Sequence, residues 1–198
     1  MVPHPLRSAA AALDRGDLET AKQTLEGWTP EGADLEDCSE LWWLLGRHAD
    51  QEENRELAAY ARIRSREIEI RLPRPSWACS LAESERIVAE ALSRLPRRAQ
   101  ELLQAIPLLL EDFPSQEDLR AGMKLRLLGV FEGVPLPHRS SLDPSSMRPD
   151  RLRIFLRNLE NVCGDADHYR QELQITVWHE TAHYFGLEED DVAALGLE

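Results

Sequence analysis

Cysteine is scarce in this sequence: Cys38, Cys79 and Cys163 are the only three in 198 residues, an odd number at wide spacing. Such a set excludes a disulfide framework and a cysteine-built zinc site, and it makes a reducing cytoplasm the expected compartment. Also lacking is any apolar run approaching the ~20 residues of a membrane span. The opening stretch MVPHPLRSAAAALDRGD has no apolar core ahead of its first acidic residue, so no secretion signal is expected and the protein is read as cytoplasmic, without a membrane partner. Positive charge is in the minority, with 23 Lys and Arg against 36 Asp and Glu, net −13. A field of that sign repels a phosphate backbone, so no nucleic-acid partner is expected. What is present is an ordinary globular balance, 42% apolar and 30% charged, enough for one domain or two small ones.

The first third reads as helix throughout. PLRSAAAALDRGDLETAKQTLEGW carries apolar residues at helical spacing on both sides of Gly16-Asp17, which predicts a helical hairpin with Asp17 capping the second helix. DCSELWWLLGRHADQEENRELAAYARIRSREIEIRL repeats the pattern, with its break expected at Ala49-Asp50. The two breaks are 33 residues apart, close to the 34-residue tetratricopeptide period, and Trp42-x-x-Leu45-Gly46 supplies part of that repeat's signature. Two plain helical hairpins explain the same pattern. Trp42 and Trp43 are read as packing residues in either case.

The two prolines of RLPRPSWACS, residues 71–80, mark a linker. We place the boundary there: an all-α, tetratricopeptide-like region over 1–75 and a second region over 76–198. In the second, LAESERIVAEALSRL predicts a helix over 81–95, interrupted at Pro96 and resumed by RRAQELLQA. AIPLLLEDFP, LRLLGVFEGVPLP and DRLRIFLRNL read as strands, the last with Leu152, Ile154 and Leu156 alternating on one face. PLPHRSSLDPSSMRPD reads as loop. A closing helix is expected from a cap at Asp165 or Asp167 to about Phe185. Helix, a few strands and a final helix make the class α+β.

That final helix holds ITVWHETAHYFGLEEDD, residues 175–191, and within it H-E-x-x-H. His179 and His183 sit one turn apart on one face, where both imidazoles can bind one zinc ion. Glu180 is rotated by about 100°, beside the metal but off the ligand line, the place for a general base acting on water that zinc acidifies. Two histidines do not complete a zinc site. Residues 184–198 are too few for a loop and a returning helix, so a third ligand is expected either just past the motif or from earlier in the chain. Gly186 can take the left-handed conformation that ends the helix and turns the chain back. Glu189 then stands six residues after His183, with Asp190 as the alternative in the next register and a solvated acidic tail as the plain reading of the run. The apolar Leu173, Ile175, Val177, Trp178 and Ala182 argue that the helix is buried and that its histidines have partners.

Four motifs now stand in order: LLLEDFP at 108–114, LLGVFEGVPL at 127–136, RPDRLRIFLRN at 148–158 and ITVWHETAHYFG at 175–186. Together they resemble the minimal zincins, a family of small bacterial zinc metallopeptidase-like proteins, over residues 82–198. The helical first part lies outside the resemblance. The resemblance implies a zincin-like fold of a small sheet and an active-site helix, an edge strand within 148–158, and zinc held by His179, His183 and the acidic residue after Gly186, with Glu180 as base. The family often has Asp where this chain has Glu189, and no Met-turn follows as it does in metzincins.

Two functions fit these residues. The first is a zinc metallopeptidase acting on a peptide or protein substrate, which the strand near 151–157 would hold in extended form, while the N-terminal helices bind a protein partner. The second is a non-catalytic zinc-binding adaptor that uses those helices for protein–protein interaction; Glu180 argues against it, because a structural site needs no base. Arg151, Arg153 and Arg157 are expected on the outer face of the strand, solvated or guarding an edge, with a substrate carboxylate as the alternative partner. Tyr184 is read as packing, with oxyanion stabilisation as its alternative, and His138 and His168 as non-ligands.

Overall fold

Asp17 does what its position predicts: its side chain accepts a hydrogen bond from the Thr20 N–H at 3.1 Å and opens α2 (Leu18–Glu26) after α1 (Pro5–Asp14), with Gly16 at φ +71° making the turn. The computed structural model describes residues 4–139 and 150–194. The chain divides into two units, Met1–Pro73 with Pro114–Leu125, and Arg74–Phe113 with Arg126–Glu198. The backbone therefore crosses from one unit to the other three times.

In the first unit, α3 (Asp34–Gln51) and α4 (Arg55–Glu69) form the second hairpin. The break expected at Ala49-Asp50 falls later. Ala49 is fully buried within α3, and the turn is made by Glu53 at φ +57° and by Asn54, whose side chain accepts from the Leu57 N–H at 3.1 Å. A small apolar residue serves packing here, and the side chain able to cap sits a turn further on. Trp42, in a core with Leu25, Leu41 and Leu45, meets the exposed Tyr60 edge to face at 5.7 Å. Buried Ser39 joins Ser65 at 3.0 Å and donates to Glu69 at 3.1 Å. A short helix absent from the sequence reading, α7 (Gln116–Arg120), belongs to this unit, opened by a Ser115–Asp118 capping box and tied by the Arg66 Nε–H, which donates to the Pro114 carbonyl at 2.6 Å.

The second unit begins with α5 (Leu81–Ser93), started by a Ser80–Glu83 capping box, and α6 (Arg97–Leu103), separated from it at Pro96 as expected. Three strands follow: β1 (Leu108–Glu111), β2 (Gly129–Glu132) and β3 (Arg151–Phe155). Their order is β1-β3-β2, with β1 parallel and β2 antiparallel to β3. The strand expected at the edge is thus the middle one. Both its edges are already paired, so it has no free edge for an added peptide strand. The Leu152–Ile154–Leu156 alternation also stops short: Leu156 opens α8 (Leu156–Val162), the strand ending at Phe155.

Burial of β3 changes the reading of its arginines. Arg153 is buried, its Nε donating to Glu111 at 2.7 Å and an Nη to Glu132 at 2.8 Å, while Arg151 reaches Glu132 at 2.5 Å. Arg157 is buried beside Glu160 at 3.6 Å, and Arg74 grips the same Glu160 carboxylate. Arg151 and Arg153 thus tie β3 to its two neighbouring strands, while Arg157 and Arg74 share a carboxylate on α8.

The closing helix α9 (Ala166–Tyr184) is capped by Asp165, which accepts from the Asp167 and His168 N–H groups at 3.0 and 2.8 Å. It is fixed against α5 by the Ser84–Tyr169 hydroxyl pair at 2.9 Å and by the Trp178 Nε1–H, which donates to the Ala91 carbonyl at 2.9 Å. Of the stretch read as loop, Leu136–His138 forms a single 3-10 turn and residues 140–149 lie outside the described residues. A short α10 (Glu189–Ala194) follows α9. Among the described residues, no helix is long and apolar enough to cross a membrane.

Candidate metal centre

The last turn of α9 ends in a Schellman arrangement. Gly186, at φ +84°, donates to the His183 carbonyl at 3.0 Å, and Leu187 reaches back to the Ala182 carbonyl at 3.1 Å. No room is left for a side chain at Gly186, since a Cβ there would lie 2.8 Å from Pro137 Cγ. The reversal carries the Leu187 carbonyl under the His183 ring, where it accepts from Nδ1 at 3.0 Å. With the proton on Nδ1, Nε2 of His183 presents its lone pair to a metal.

His179 and His183 bring their Nε2 atoms to 2.9 Å, and Glu189, the first residue of α10, places its carboxylate oxygens 3.7 and 3.5 Å from them. Among the described residues this trio is the group of donor side chains close enough to hold a metal ion, all its ligand atoms within 4.8 Å of one another. The separations bracket the ~3.3 Å edge of a tetrahedron drawn with Zn–N bonds of 2.0–2.1 Å. Two imidazole nitrogens and a carboxylate also suit zinc chemically and leave a fourth position open. Asp190 and Asp191 lie in the same first turn of α10, exposed, and outside the trio. Glu189 is itself 76% exposed, so the donor set is open to solvent on that side.

Glu180 is placed differently. It is 6% exposed, and its Oε2 accepts from the Phe131 N–H of β2 at 2.7 Å. Burial pushes its carboxyl up from the usual range, opposed by the neighbouring His179 and by that N–H. β2 comes this close because residue 129 is glycine: a Cβ there would sit 2.8 Å from both Glu180 Cγ and Thr176 Cγ2. The backbone of β2 thereby lines one side of the histidine face.

Residues 103–197 match the family model described as Zincin-like metallopeptidase. These residues form a zincin-like metallopeptidase domain. The match is narrower than the 82–198 over which the resemblance was expected, beginning at the end of α6 and reaching beyond α10. No curated protein matches the chain by sequence. At this level of description, a zincin-like domain implies a bound metal, usually zinc, and peptide substrates.

The remaining candidates fall away from the trio. Tyr184 is buried in packing, edge to face with Phe131 at 5.7 Å. His168 stands at the opposite end of α9, 3.6 Å from Glu172, and His138 is exposed in the 3-10 turn. Three parts of the site were not named from sequence: Gly129, the Phe131 N–H and the Leu187 carbonyl. Only Gly129 left a signal, a glycine inside a strand pattern, which marks close backbone approach. The other two are backbone groups, and no residue type announces them.

Proposed function

We propose that the zincin-like domain is a zinc-dependent peptidase in which His179, His183 and Glu189 hold the metal and Glu180 is the general base. The observation that carries this reading is the convergence of the two Nε2 atoms and one carboxylate within 4.8 Å, with a buried carboxylate on the next residue. A zinc ion bound there supplies Lewis acidity, polarising a peptide carbonyl and lowering the pKa of water towards ~7.

The chain's own groups supply the rest. Glu180 takes a proton from the attacking water as its oxygen joins the carbonyl carbon, and passes that proton to the amine nitrogen as the C–N bond breaks. Hydroxyl thus ends on the acyl fragment and hydrogen on the amine. Burial favours this role, because a carboxylate with a raised pKa is the stronger base while it remains ionised. The Phe131 N–H fixes the Glu180 side chain between turnovers, and the Leu187 carbonyl keeps the His183 ring in one orientation. A purely structural zinc site would not need a carboxylate held at this place.

Metal analysis of the purified protein tests the donor set. About one zinc per chain, lost in His179→Ala and in Glu189→Ala, is the expected result. Protein that takes up no zinc when dialysed against it contradicts the reading.

A further inference from the structure

Beside the metal trio lies a cavity of about 200 Å³ whose lining includes His179 and Glu180. We propose that this cavity, walled by Leu127, Leu128, Gly129, Glu172, Ile175 and Thr176, is a specificity pocket for a lysine or arginine side chain next to the cleaved bond, with Glu172 recognising its charge. The proposal rests on the peptidase reading above and names the substrate class of that site.

Its position follows from the helix. Glu172 precedes His179 by seven residues, two turns of α9, which puts it on nearly the same face and ~10.5 Å further back along the axis. A residue bound with its backbone at the trio can span most of that distance only with a long, unbranched side chain. The walls suit such a stem: Leu127, Leu128 and Ile175 are aliphatic and half-buried. Lysine and arginine lay their methylenes along surfaces of this kind and keep the charged head for a polar end.

Glu172 is that polar end. Its side chain is 25% exposed, and its Oε1 lies 3.6 Å from Nε2 of His168, beyond hydrogen-bond length and one turn towards the helix start. Thr176 does not compete for the carboxylate, because its hydroxyl donates to the Glu172 backbone carbonyl at 2.8 Å. A partly desolvated carboxylate at the end of an apolar channel attracts a cation more strongly than one in free water. Neither Glu180 nor the net charge of −13 opposes a cationic substrate.

The test uses synthetic peptides identical except for Arg, Lys, norleucine or Glu at the position flanking the cleaved bond. Wild-type protein is expected to favour Arg and Lys over norleucine by about tenfold or more in kcat/KM. In Glu172→Gln the ratio should fall towards one. In Glu172→Lys it should drop below one while the Glu peptide gains, with circular dichroism and Tm showing both variants folded. A wild-type preference for norleucine, or an Arg preference unchanged in Glu172→Gln, overturns the proposal and leaves the peptidase reading standing. If wild type cleaves none of the peptides, that counts against the peptidase reading, and the same peptides are titrated into it by calorimetry. Tighter binding of the Arg peptide, lost in Glu172→Gln, then supports the pocket, and equal binding of all four overturns it.

Discussion

The Leu187 carbonyl accepts a hydrogen bond from Nδ1 of His183 at 3.0 Å, so the turn that ends α9 also sets the tautomer of a candidate metal ligand. Gly186 makes that turn. Gly186→Ala places a Cβ at φ +84° and 2.8 Å from Pro137 Cγ. We expect a loss of about 1–3 kcal/mol in stability, read by urea unfolding, and zinc affinity weaker by about 10–100-fold, read against a competing chelator. Unaltered zinc affinity in folded Gly186→Ala would separate the turn from the metal site.

Gly129 governs the other side of the site. Gly129→Ala forces a methyl group against Glu180 Cγ and Thr176 Cγ2, each 2.8 Å from the new Cβ. β2 or Glu180 must then move, and the 2.7 Å bond from the Phe131 N–H is the first to lengthen. Peptidase activity should fall by about 100-fold while zinc content stays at the wild-type level, since misplacement of about 1 Å carries a cost of that size.

How much of this could be read from the chain alone differs from element to element. The first hairpin with its cap at Asp17, the cap at Asp165 and the stop at Pro96 are written in local chemistry and stand where that chemistry puts them, whereas the second hairpin turns at Glu53-Asn54, past the expected Ala49-Asp50. β3 was legible as a strand but not as the central one, because strand order depends on partners distant in sequence, Leu108–Glu111 and Gly129–Glu132. Leu156 satisfied both a two-residue alternation from Leu152 and a helical spacing to Leu159, so the strand's end was ambiguous. α7 and α10 are five and six residues long, too short for a periodic signal. The acidic run 188–191 was read for a ligand at Glu189, with a solvated tail as the alternative, but not as the start of a helix whose N-terminus favours negative charge.

The sheet's charge ladder gives an acid limb to stability. Burial alone would raise the Glu132 carboxyl, but hydrogen bonds from Arg153 and Arg151 outweigh it and hold the pKa below its ordinary 4.5. A depressed folded-state pKa stabilises the fold above the unfolded value, and that contribution is lost as pH falls through the lower folded value. The stability difference between wild type and Glu132→Gln should therefore be largest near neutral pH and shrink below about pH 4.5. Urea unfolding across that range checks it. A difference independent of pH would show that Glu132 binds its arginines no better when charged.

The claim on which the rest depends is that Glu180 moves the proton in peptide-bond hydrolysis. The most direct test is the rate of peptide cleavage by Glu180→Gln beside wild type, both carrying equal zinc. Glutamine keeps the size of the side chain, and its amide oxygen can still accept from the Phe131 N–H, but it cannot take a proton from water. A fall of about 100-fold or more with zinc retained is the predicted result. Equal cleavage by the two proteins would contradict the account.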